Sequence, residues 1–242
     1  MLHKPTGKTR PAHRSYRGKI LYIGDTLGER GREWFTVTVQ EDGTRTLRAH
    51  CEIDDAEINH TRVLRDVIYT LDKQWRPLDS YVRITVNKAF MGSAWFRFSE
   101  HLVECEGYSV GEGRFSQRVE TERWVRVFAP HPVICDVWHM AGWDWKNPAK
   151  TQTWPTIMSS PLPNGASGPL IGVVDFATRY HGKERVTVPA GTFDCEHFSF
   201  PLEDRPGSTP EHLWYSGPDM DFVKIRWDFA TTTYELVALQ KE

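Results

Sequence analysis

The sequence has no apolar run that reaches the roughly 18 residues a membrane-crossing helix needs. Its opening, MLHKPTGKTRPAHRSYRGK, is basic and polar and lacks the hydrophobic segment of a secretory signal, so a cytoplasmic protein is expected. Cysteine is sparse: four residues, at positions 51, 105, 135 and 195, form no CxxC pair, so reduced thiols are expected and a disulfide framework is not. A dominant charge is lacking too. With 30 Lys and Arg against 32 Asp and Glu, the formal net charge is −2, without the cationic excess that a phosphate backbone requires, so no nucleic-acid partner is expected. There is no GxSxG elbow, no P-loop and no GxGxxG after a strand, and the glycines around Glu112 (Gly111 and Gly113) read as a turn. Serine-hydrolase, ATP and NAD chemistry are set aside on these grounds, and no cofactor is expected. The sequon Asn59-His60-Thr61 carries no meaning in a cytoplasmic chain.

What the chain does have is aromatic residues and alternation. It carries 10 Trp, 12 Phe and 8 Tyr, and at 39% hydrophobic it can bury a sizeable core. Period-2 alternation with β-branched and aromatic residues recurs in KILYIG (19–24), REWFTVTVQ (32–40), TRTLRAHCEI (44–53), LRDVIYTLD (64–72), SYVRITVN (80–87), SAWFRFSE (93–100), LVECEG (102–107) and RFSQRVETE (114–122). After a break it resumes in VVDFATRYH (173–181), ERVTVP (184–189), TFDCEHFSF (192–200), HLWYS (212–216), FVKIRWDF (222–229) and TYELVAL (233–239). Glu41-Asp42-Gly43 supplies a hairpin turn. This is the pattern of a mainly β protein, a large curved antiparallel sheet, half-barrel or barrel, built as a meander. Residues 1–14 read as a basic flexible arm and 15–242 as one β-rich ligand-binding domain.

The break is different. In HPVICDVWHMAGWDW (131–145), Ile134, Val137, Trp138 and Ala141 form an apolar stripe at helical period, with Pro132 suited to the first turn and Gly142 to the stop. One short helix is expected here, followed by a lid-like insertion at about 142–171, rich in Pro, Gly and Ser, with an apolar underside of Trp143, Trp145, Trp154 and Met158. His131, Cys135 and His139 look like a ladder of metal ligands. Eight helical residues rise about 12 Å, however, whereas zinc ligands lie about 2.0–2.3 Å from one ion, so the three cannot share a metal and none is expected.

Two sets of residues carry candidate chemistry. His131 and His139 lie where the helix meets the sheet, either as satisfied core histidines or as general acids and bases. On the strands, cations alternate with large aromatics on shared faces: Arg48, His50 and Glu52; Tyr81, Arg83 and Thr85; Trp95 and Arg97; Trp34 and Thr36. These faces either line a polar cavity for an aromatic or carboxylated ligand, or form an outer surface on which Arg stems cover aromatics.

The C-terminal third, VTVPAGTFDCEHFSF (186–200) and EHLWYSGPDMDFVKIRWDFATTTYELVAL (211–239), resembles the ending of a family of poorly characterised bacterial β-rich single-domain proteins. In that family a Val-Pro-Ala-Gly-Thr-Phe-Asp strand entry precedes a Leu-Trp strand, a Val-Arg strand and a closing Tyr-Glu-Leu strand; Val223-Lys224 stands here where Val-Arg would fall. The stretches 63–84 and 93–108 are similar to the same group. The resemblance implies a shape like the lipoprotein-carrier half-barrel, a curved sheet around a helix-plugged apolar cavity, which a cofactor-independent violacein-pathway enzyme shares. It transfers no catalytic residue.

The expectation that follows is a cofactor-independent enzyme performing lyase, isomerase or dehydratase chemistry on an aromatic or polycyclic hydrophobic molecule. His131, His139 and His50 would transfer protons, assisted by Tyr81 or Glu104. Arg48, Arg83 and Arg97 would hold an anionic group, and Trp34, Trp95, Trp138 and Trp154 would form stacking walls. The alternative is a non-catalytic binding or carrier protein with the same pocket. The expected partner is a small hydrophobic or aromatic molecule, with no membrane insertion and a homodimer left open.

Overall fold

The structure, a computed structural model, describes residues 13–55, 61–162, 165–202 and 207–242. The first twelve residues of the basic arm, and Asn59 and His60 of the sequon, lie outside the described residues, while His13 and Arg14 begin the first strand. The first eight strands are β1 (His13–Gly24), β2 (Gly28–Gln40), β3 (Arg45–Asp55), β4 (Thr61–Leu71), β5 (Pro77–Val86), β6 (Ala89–Phe98), β7 (Leu102–Ser109) and β8 (Gly113–Glu120). A short β9 (Val127–Ala129) leads into a 3-10 helix, Val133–Gly142, here called the plug. Then come β10 (Gln152–Met158), β11 (Gly172–Val188), β12 (Gly191–Phe200), β13 (Glu211–Ser216), β14 (Asp221–Trp227) and β15 (Thr232–Lys241).

All fifteen strands belong to one sheet in the order β8-β7-β6-β5-β4-β3-β2-β1-β15-β14-β13-β12-β11-β10-β9. It is the meander expected from the alternation, except that β9 runs parallel to β10. The chain begins in mid-sheet: β1 pairs with β2 on one side and β15 on the other, and β8 and β9 are left as separate edges, so the sheet curls without closing. Turn chemistry sets the register. Asn87 and Lys88 both have positive φ (49° and 69°), the backbone that a two-residue hairpin between β5 and β6 needs. Among the described residues no helix is long and apolar enough to cross a membrane.

Period-2 alternation turns one set of side chains into the curl. Leu47, Ala49 and Cys51 on β3, Val82 and Ile84 on β5, and Phe96 and Phe98 on β6 are all buried there. Each large apolar side chain so buried contributes about 1.5–3 kcal/mol, and a slip of one residue would turn the whole set to water. The plug fills the hollow. Its apolar stripe is wider than its sequence period suggests, because the helix lies inside the curl: Val133, Cys135, His139 and Met140 are buried along with Ile134, Val137 and Trp138.

Two buried charges fix the plug. From β2, Glu33 accepts the Tyr22 hydroxyl at 2.8 Å and the Val133 and Ile134 N–H groups at 2.8 and 3.3 Å, so a sheet carboxylate satisfies orphan donors at the helix start. From β4, Arg65 donates to Pro130 O at 3.0 Å, to Ser159 Oγ at 3.1 Å and to Gly165 O, tying down the chain on both sides of β10. The stretch 142–171 thus contains a paired strand, and its Trp143 and Trp154 meet edge to face inside the core at 6.0 Å. One further difference from the sequence reading lies in β11: segments 173–181 and 184–189 form a single strand, kept continuous by a bulge between Tyr180 and Gly182.

Candidate functional site

The faces that combine cations with aromatics turn outward. Arg48, Arg83 and Arg97 are exposed, as are Trp34, Tyr81 and Trp95, and only the apolar alternates point into the curl. The expectation of an inward-facing cationic cavity is corrected here. Burying several guanidinium groups without carboxylate partners costs far more than leaving them in water, and the apolar alternates were available for the core.

Register nevertheless gathers part of the expected set. Lys19, Trp34, His50 and Asp66 are successive cross-strand neighbours on β1 to β4, and Arg17, Thr36, Arg48, Ile68 and Tyr81 form the adjacent row, reaching β5. Between these rows lies an open groove of about 710 Å³. Trp34 stacks over His50 with ring centroids 5.9 Å apart, and Lys19 Nζ lies 5.5 Å from the centre of the Trp34 ring. His50 Nδ1 lies 2.6 Å from Asp66 Oδ1, and its Nε2 lies 3.7 Å from Glu52 Oε1. The Asp66 carboxylate so placed fixes the imidazole's orientation and tautomer, while the second nitrogen approaches Glu52. Three fixed cations, Arg17, Lys19 and Arg48, against the single carboxylate of Asp66 make the lining suit an anion.

The other expected residues are dispersed. Arg83 lies over Phe90 at 4.4 Å, and Arg97 over Trp95 at 5.4 Å. Arg97 also donates through Nε to Glu104 at 2.9 Å, and Arg118 approaches Glu104 at 3.3 Å, so Glu104 is neutralised by two cations away from the groove. Trp138 and Trp154 belong to the interior; Trp138 packs against Tyr69 and Trp75 at 6.3 and 5.7 Å.

His131 and His139 also lie inside, on the opposite face of the sheet from His50. His131 Nε2 is 3.0 Å from Ser160 O, and burial, helped by the nearby Arg65 charge, lowers its pKa to about 3. His139 packs between Phe176 and Phe200 with centroids at 6.2 and 5.5 Å, and burial lowers its pKa to about 3 as well. Both are held neutral. They border a cavity of about 90 Å³ together with Asp136, Glu211 and Tyr234. Burial first, and then the charges of Glu211 and Glu33, raise the Asp136 carboxyl well above its usual range. A space of this size takes a few water molecules, not a ring system, for which pockets run to about 300 Å³ or more.

Residues that the sequence reading passed over carry much of this arrangement. Glu33 and Arg65 are wholly buried. The available signal was parity: each is a charge at an inward position, Glu33 alternating with Phe35 and Val37, and Arg65 with Val63 and Val67. Asp66, the partner of His50, could be found only through the β3–β4 register.

No protein-family model and no curated protein matches the chain. Among solved structures it is similar to the crystal structure of a beta-barrel-like protein of a domain of unknown function, DUF1849, from Brucella abortus. The two share 10% sequence identity with a TM-score of 0.56, over 95% of this chain and 97% of that one. The likeness is one of fold: a large, mainly β architecture from a poorly characterised bacterial group.

Proposed function

We propose that the protein is a binding protein for a small aromatic or hydrophobic molecule carrying an anionic group, received in the outer groove over β1–β5. The observation that carries this reading is the groove itself. Its volume of about 710 Å³ falls within the range of small-molecule sites, and Trp34, Ile68 and Tyr81 offer flat apolar surface beside Arg17, Lys19 and Arg48. Stacking on Trp34 with a charge-assisted contact to Arg48 would orient such a ligand. In the carrier-like half-barrels that the sequence resembles, the apolar cavity lies within the curl; here the plug and its aromatic neighbours occupy that space, which favours the outer face. The four cysteines are all free and buried, which fits the reducing, cytoplasmic setting included in this proposal.

A specific contact supports a second reading, proton transfer on the bound molecule. His50, held by Asp66 at 2.6 Å, is a general base or acid at the groove, whose lining also includes Tyr81. No other cofactor-independent acid–base pair of the expected set shares a face with a groove of this size.

Calorimetric titration of aromatic carboxylates and phenols tests both. The wild-type chain should bind members of the panel, and Trp34→Ala/Tyr81→Ala, which alters only exposed rings, should bind at least tenfold more weakly. Unchanged affinity in that double variant contradicts the binding reading. Turnover of a bound compound that disappears in His50→Gln while binding persists would select the enzyme; binding without any turnover selects the carrier.

A further inference from the structure

The outer face of the C-terminal half carries a second constellation, remote in sequence from the groove. His181, His197 and His212 come from β11, β12 and β13, and one ligand atom from each lies within 4.8 Å of the others. The register explains the meeting. His197 is paired with Trp214, and His212 with Ser199, so the two imidazoles are diagonal neighbours, His197 Nε2 lying 2.9 Å from His212 Nδ1. His181 occupies the bulge between Tyr180 and Gly182, and Gly182 takes φ of +112°. The bulge puts an extra residue into β11 and brings the imidazole over its neighbours on β12 and β13, with ring centroids 4.6 and 5.4 Å away.

We propose that His181, His197 and His212 form a binding site for a divalent transition metal of the zinc class, with Glu184 orienting His197. Three imidazoles at metal–nitrogen distances of about 2.0–2.1 Å have their nitrogens about 3.3 Å apart in a tetrahedral site. The present spacing brackets that value, from 2.9 Å between His197 Nε2 and His212 Nδ1 to within 4.8 Å across the three ligand atoms. Imidazole is a ligand suited to zinc, copper and nickel and not to magnesium or calcium. The surroundings match those of a metal-ligating histidine. Glu184 Oε2 lies 3.5 Å from His197 Nδ1, placing a carboxylate beside one ring nitrogen while Nε2 faces His212. Trp214 holds Glu184 by donating Nε1–H to Oε1 at 2.6 Å, and its ring stacks on His197 at 4.4 Å. Ser199 Oγ lies 2.8 Å from His181 Nε2. With three protein ligands on an open face, the fourth position belongs to water or to an incoming anion.

The test uses tag-free full-length protein, stripped with a chelator, in equilibrium dialysis against zinc and in cobalt(II) absorption spectroscopy. One zinc per chain is expected, and cobalt should give the visible bands of a low-coordinate site. His197→Ala and His212→Ala should each weaken zinc at least tenfold and abolish those bands. His181 is exposed, so His181→Ala remains folded and carries the same expectation if either of the others does not fold. Glu184→Gln should weaken zinc about 10–100-fold with the cobalt bands retained, and His101→Ala, remote on the sheet, should change nothing. Absence of stoichiometric zinc binding, or equal affinity in wild type and His181→Ala, overturns the proposal.

Discussion

Glu33 provides the sharpest test of how the plug is held. Burial raises its carboxyl from the ordinary 4.5 to about 7, against the opposing pull of the Tyr22 hydroxyl and the Val133 and Ile134 N–H donors. A folded-state pKa above the unfolded value means that the native state binds the proton more tightly. The contribution is therefore fully present below pH 4.5 and is lost as pH rises through 7. At about 1.4 kcal/mol for each tenfold change in proton affinity, the loss amounts to about 3 kcal/mol. Glu33→Gln removes the titrating group. Its single carbonyl oxygen must serve donors that two carboxylate oxygens now share, which costs about 1–3 kcal/mol at pH 5. Urea unfolding at a series of pH values, followed by tryptophan fluorescence, should show the wild type ahead by that amount at about pH 5. By about pH 8 this gap should have fallen by about 2.5 kcal/mol, so that it closes or reverses in favour of Glu33→Gln. Asp136, whose carboxyl is raised by burial and then by the charges of Glu211 and Glu33, titrates together with this group, so Asp136→Asn in both backgrounds separates the two contributions. A stability difference that stays flat from acid to neutral pH refutes the reasoning. Glu33→Ala strips the Tyr22, Val133 and Ile134 donors, and the Cys51 thiol, of their acceptor; at about 1–3 kcal/mol per buried unpaired N–H or O–H it should cost about 3–9 kcal/mol at about pH 5, a cost that falls toward pH 8 as the wild-type carboxyl ionises.

Arg65→Met leaves the carbonyls of Pro130 and Gly165 without their buried donor and should cost about 3–5 kcal/mol, with faster hydrogen exchange in residues 159–170 as its local signature. Trp138→Ala, inside the curl, should cost about 3–5 kcal/mol in urea unfolding, whereas Trp34→Ala on the outer face should change stability by less than about 1 kcal/mol. The four buried thiols should react with a thiol reagent only as fast as the chain unfolds. A cysteine that reacts at once in the native protein contradicts the packing described.

The elements were legible in the sequence, and the sidedness of the sheet was not. Alternation in TRTLRAHCEI separates Leu47, Ala49 and Cys51 from Arg48, His50 and Glu52 but does not say which set faces the core. The Trp and Tyr residues sharing a face with arginine favoured the wrong side, because such rings can lie under cationic stems at the surface as well as line a cavity. Arg97 over Trp95 and Lys19 over Trp34 are the outcome. Trp34, Arg48, His50 and Tyr81, each readable on its own strand face, are brought to one groove by the register of β2 to β5, which follows from parity once the hairpins are known. His131 and His139 were drawn toward function by their closeness in sequence, yet each is packed in the interior. The His181–His197–His212 cluster escaped for the converse reason. Its members are separated by 16 and 15 residues, and only a bulge and two hairpins bring them together.

The central claim, that the outer groove over β1–β5 is the ligand site, is tested most directly by NMR mapping of an aromatic carboxylate titrated into the protein. The indole resonance of Trp34 should move together with the ring signals of His50 and Tyr81, while the buried indoles of Trp138, Trp143 and Trp154 stay fixed. Shifts confined to those buried indoles, or none at millimolar ligand, would contradict it.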